Sequence, residues 1–170
     1  MSEAITPWLH IVAVTVWLGP QFFMFLVTVP ALRAIDDAEV RLRVMRIITQ
    51  RFGWLAWAAL GVIVLSGISN LFQEASEPAS HVWDTDYRYF QVFSTKMAVV
   101  GVAVLLTAVH SFVIGPRQLR LHEEARGDSP EALRLRRLSV AASALVLLAS
   151  IAAMFLAALL ANHDYSHALV

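Results

Sequence analysis

The chain has 170 residues, 58% hydrophobic and 15% charged, with a mean hydropathy of +0.64. Ordinary soluble domains carry about a quarter charged residues, so a water-soluble globule is excluded. The 13 Lys and Arg balance the 13 Asp and Glu, leaving no net charge to attract nucleic acid, and the lack of cysteine removes disulfides, thiolate metal sites and Cys nucleophiles together.

From Pro7 to Val29 there is no Asp, Glu, Lys or Arg. At ~1.5 Å per residue this stretch makes about 34 Å of helix, one crossing of a bilayer. Thr6 before Pro7 suits an N-cap and first helical position, and Pro30 suits a stop. No basic residue precedes the run and no tidy small-residue cleavage site follows it, so it reads as part of the mature protein. Further spans are expected at 52–72, at 89–114 before a Gly115-Pro116 stop, and at 138–161 before Asn162. The expected fold is all-α: a single domain over 1–170, built as an integral membrane four-helix transmembrane bundle with spans at about 7–29, 52–72, 89–114 and 138–161. Trp8, Trp54, Trp57, Trp83, Tyr87, Tyr89 and Phe90 fall near the span ends, where aromatic residues form interfacial belts.

The basic residues fix an orientation. Arg33, Arg41, Arg43, Arg46 and Arg51 lie in the first connection, and Arg117, Arg120, Arg126, Arg134, Arg136 and Arg137 in the third, whereas the second connection has only Arg88. The positive-inside rule then places both termini and the 73–88 loop outside a cytoplasmic (inner) membrane. Val40, Val44, Ile47 and Ile48 recur at helical spacing after Asp36 and Asp37, so a capped amphipathic turn should run straight into span two. A break at Gly127-Asp128-Ser129-Pro130 should start span four well below the membrane, and no internal repeat is evident.

Hydrocarbon makes unpaired polar groups costly, so polar residues within spans mark where function is to be sought. His10, Trp17, Gln21 and Met24 form one stripe on span one; Lys96, Thr107 and His110 form another on span three. Ser139, Ser143, Ser150 and Met154 share a side of span four that also suits close helix packing. His10, Lys96 and Met154 fall near the outer ends of their spans, while His110 lies near the inner end beside the Gly-Pro pair, where it could meet the last helical carbonyls. A His10–His110 ligand pair is therefore rejected. An outer site is expected from His10, Lys96 and Met154, joined by His81 or by His163 and His167, which face one way if the last helix continues past Asn162. There is no GxGxxG, Walker loop, HExxH or GxSxG, and no intramembrane carboxylate pair, so no catalytic residues are expected.

Leu9-His10-Ile11 followed by Trp17-Leu18-Gly19, Lys96 in the outer part of span three, and the run from His110 through Gly115-Pro116-Arg117 together resemble the CopD-like membrane superfamily. That group holds the copper-resistance CopD domains and, more distantly, the HemJ protoporphyrinogen oxidase. The resemblance implies a membrane bundle that handles copper at its outer side or holds haem b, with His10 and Lys96 at the motif histidine and lysine. Pro20 replaces the second glycine of a Trp-x-Gly-Gly pattern, which weighs against the enzymatic branch. In the copper reading His10, His81, Met154, His163 and His167 are the metal donors, since imidazole and thioether suit copper, and the partner is periplasmic copper or a redox protein. In the haem reading His10 and Met154 are the axial pair. The third reading is a non-catalytic accessory subunit whose polar stripes pack on a partner.

Overall fold

The computed structural model describes residues 2–77, 80, 82–124 and 126–170. The chain divides into two compact units, residues 1–77 and 78–170, each built around a pair of packed helices. No strand occurs among the described residues.

In the first unit α1 (Ser2–Phe23) passes through both Pro7 and Pro20, leads into a π-turn (Met24–Thr28) and continues as α2 (Val29–Arg33). The expected start at Pro7 and stop at Pro30 are both corrected. A helix can extend ahead of Pro7 because the proline removes only one bond near the helix end. Pro30 does not stop the helix because the turn before it widens: the N–H of Val29 reaches back five residues to the carbonyl of Met24. In an α-helix the proline ring would collide with the carbonyl four residues earlier, and the π register opens that space. The second helix of the unit, α3 (Ala38–Ser76), starts at Asp37, whose carboxylate accepts from the backbone N–H of Glu39 at 2.8 Å and of Val40 at 3.0 Å. Its 39 residues amount to about 58 Å of helix, nearly twice the ~30 Å hydrocarbon core, so the arginine-bearing first turns extend beyond it as expected. The short connection makes α1 and α3 antiparallel neighbours, and Ala13, Trp17, Ala59, Leu60 and Ser66 are buried.

The second unit repeats this device. Its first helix, α4 (Arg88–Val109), enters a second π-turn (His110–Ile114) and emerges as α5 (Gly115–Glu123), with the N–H of Gly115 donating to the carbonyl of His110. The expected Gly115-Pro116 stop is therefore also corrected, for the same reason. A Cβ on residue 115 would lie 3.2 Å from that same carbonyl oxygen, so glycine suits the tight turn. Opposite lies α6 (Pro130–Ala161), opened by Ser129, whose hydroxyl accepts from the N–H of Ala132 at 3.2 Å, with Pro130 in the first turn. Asn162 ends α6 and caps a short α7 (His163–Ser166), so the last helix does not run on as one rod. The segment after α7 returns to the start of α4. Arg88 N–H donates to Ala168 O at 3.1 Å and Val170 N–H to Asp86 O at 3.0 Å, around an antiparallel bridge between Tyr87 and Leu169. Ser166, at the end of α7 just ahead of this latch, is completely buried.

The two π-turns stand in one register. Each is followed, after a single residue, by a proline, Pro30 or Pro116; fourteen residues ahead of each stand His10 and Lys96. Met24 opens the first turn and His110 the second.

Four helical segments among the described residues are long and apolar enough to cross a membrane: Ala4–Arg33, Ala38–Ser76, Arg88–Glu123 and Pro130–Ala161. Their outer faces carry exposed Leu26, Trp54, Leu65, Leu105, Phe112, Leu148 and Phe155, a surface that water would penalise and lipid accepts. The protein is an all-α, four-span membrane protein, as the composition requires.

Candidate functional site

His10 lies on the face of α1 that meets α3. Its Nδ1 is 2.9 Å from the Ser66 hydroxyl, and its ring lies over Gly67, where an added Cβ would come within 3.3 Å of His10 Cε1. Ser66 has one proton to give, and its oxygen lies 2.5 Å from the Val62 carbonyl, which can only accept. This geometry suits a chain in which His10 Nδ1–H donates to Ser66 and Ser66 donates to the Val62 carbonyl. A hydrogen bond to one ring nitrogen orients the imidazole, as is usual where the other nitrogen binds a metal. Further along the same stripe Gln21 turns its amide back onto the Trp17 carbonyl at 3.1 Å.

In the second unit His110 is not engaged with the end of a helix, because the helix does not end there. Its Nε2 instead lies 2.9 Å from the Ser139 hydroxyl and 3.5 Å from that of Ser143, both on α6. The serine stripe of span four thus carries polar contacts at its arginine-rich end. Ser150, by contrast, is buried and donates to the Val146 carbonyl of its own helix. Lys96 is half-buried on α4 with no hydrogen-bond or ion-pair partner among the described residues. Met154 is 46% exposed on α6.

His163 and His167 lie at the arginine-poor end of the second unit. The break at Asn162 still leaves them side by side, with ring centroids 5.0 Å apart, because α7 and its cap residue make one helical turn. His167 meets Tyr89 edge-on at 6.4 Å, Tyr89 stacks on Phe93, and the Arg88 guanidinium lies 5.1 Å above the Tyr165 ring. His81 lies outside the described residues. Among those residues no group of three or more His, Asp or Glu side chains could hold a metal ion. Among the described residues, the imidazoles that the sequence singled out are therefore found singly or as a pair.

The residues missed by sequence reasoning are Ser66 and Gly67. Their signal was available: a serine-glycine pair in an otherwise apolar stretch of span two admits a ring from the neighbouring helix and a hydrogen bond to it.

No curated protein matches the chain. Nor does any solved structure. The sequence model of the family described as copper resistance protein D matches residues 46–160, which include Ser66, Lys96, His110 and Met154 but neither His10 nor the His163–His167 pair. With four apolar spans and a match over more than half its length, the chain belongs to the CopD family.

Proposed function

We propose that this CopD-family protein handles copper at the external face of the cytoplasmic membrane, taking the ion on the imidazole of His10 in the first unit and on those of His163 and His167 in the second. The arginine distribution supports this sidedness, since it assigns the ends of the spans that carry these histidines to the outside. Copper is cargo in this reading. Imidazole is a good copper ligand, and a donor set of one or two imidazoles leaves coordination positions open, which suits an ion that must be passed on. Met154 adds a thioether of the kind that favours Cu(I), and Lys96 belongs to the same outer portion of its helix. The observation that carries the reading is the contact between His10 Nδ1 and the Ser66 hydroxyl at 2.9 Å, which holds the ring in one orientation as hydrogen-bond partners of metal-binding imidazoles do.

The test is copper binding by the full chain purified in detergent, measured by competition with a Cu(I) chelator. Stoichiometric binding is expected, weakened by His10→Ala and, separately, by His163→Ala with His167→Ala. No copper above background in the wild-type protein would remove the proposal. So would a red preparation whose Soret band disappears in His10→Ala, which would replace copper by haem b.

A further inference from the structure

Arg136 and Arg137 open onto a furrow on α6. Together with Leu133, Val140, Ala141 and Ala144 they line this open surface depression, of about 430 Å³. The spacing explains the shape: these residues recur at three and four along a helix, so they form one face, with the two guanidiniums one turn above a floor of small side chains. The floor runs from the arginines into the apolar part of the span. At ~1.5 Å per residue Arg137 and Ala144 are about 10 Å apart, some two-thirds of the depth of one hydrocarbon leaflet.

The charges at the mouth are uncompensated. Nearby Arg117 is paired with Glu131 at 3.2 Å, and Arg126 with Glu124 at 3.3 Å and Glu131 at 3.5 Å. Arg136 and Arg137 are exposed and have no carboxylate partner among the described residues. Two adjacent guanidiniums offer forked donors that match phosphate oxygens. An occupant must therefore bring an anion at one end and a hydrocarbon chain at the other, side by side at the membrane surface. Free phosphate would leave the furrow empty, and a zwitterionic lipid would bring its own cation to the arginines.

We propose that this face is a binding site for one anionic phospholipid, with the phosphate on Arg136 and Arg137 and an acyl chain along Val140, Ala141 and Ala144. The site is independent of copper and of the membrane's sidedness.

The test uses the delipidated full chain in detergent, titrated with phosphatidylglycerol or phosphatidylcholine of the same acyl chains and followed by native mass spectrometry. Phosphatidylglycerol should be retained about tenfold more strongly, on the basis of the attraction of interfacial arginines for anionic lipid. Arg136→Gln with Arg137→Gln should abolish that preference without changing the helical circular dichroism. Arg43→Gln with Arg120→Gln, which removes the same charge from residues that do not line the furrow, should leave it intact, and inorganic phosphate should not displace the lipid. Equal binding of the two lipids, equal loss in both double variants, or displacement by phosphate would each overturn the proposal.

Discussion

At the scale of single residues, His10 shows what the sequence disclosed and what it withheld. An imidazole on a polar stripe inside a span is costly in lipid, so its importance could be read from sequence. Its partner could not, because nothing in the sequence of span one says which turn of span two will face it. Ser66 and Gly67 supply the hydrogen bond and the space. If that contact orients the ring for copper, Ser66→Ala should weaken copper binding about tenfold, as loss of a hydrogen bond to a metal-binding imidazole does. It should cost only about 0.6 kcal/mol of stability, the usual worth of a hydrogen bond between membrane helices. Copper competition and thermal unfolding in the same detergent separate the two; a large loss of stability with unchanged affinity would make the contact purely architectural. His110 teaches the converse. Its position suggested a helix terminus, and its actual partners, Ser139 and Ser143, belong to a stripe that also reads as packing.

At the scale of elements, the starts of α3 and α6 and the stop at Asn162 were legible, whereas the start of α1 and the proline stops were not. Asp37 and Ser129 cap α3 and α6 where turn chemistry indicated, because a side-chain oxygen ahead of a helix satisfies local N–H groups whatever the rest of the protein does. Asp37→Ala should therefore lower stability by about 1 kcal/mol in a chemical or thermal melt. Prolines misled. In water Pro30 or Pro116 would end a helix, since solvent can take over the released backbone groups. In hydrocarbon those groups must be satisfied internally, so the chain keeps its helix and widens one turn. Each proline still withholds one N–H. Pro116→Ala should restore that donor and raise the melting temperature; a fall would mean that the ring packs in a way that outweighs the missing bond.

At the scale of the whole molecule, spans and class followed from hydropathy alone, because crossing a bilayer demands length and apolarity before anything else. The π-turn shared by the two units was hidden. Aligned on their π-turns, α1 and α4 share few identities beyond Val14 with Val100, Val16 with Val102, Val27 with Val113 and Pro30 with Pro116, too little for a repeat to be evident from sequence. The backbone alone shows the likeness, placing His10 and Lys96 each fourteen residues ahead of a π-turn. Orientation is open to direct measurement: in intact cells an externally added protease should cut a site engineered into the 73–88 loop and spare one engineered near Gly127. The reverse pattern would move every imidazole considered for copper to the wrong side. The main-chain latch between 86–88 and 168–170 bears on how such experiments are interpreted. It joins the Arg88 end of α4 to the final segment through peptide groups, which side-chain substitutions leave in place. His163 and His167 can thus be exchanged for other side chains while the frame that carries them stays in place, so a change in metal affinity reports on the ligands themselves.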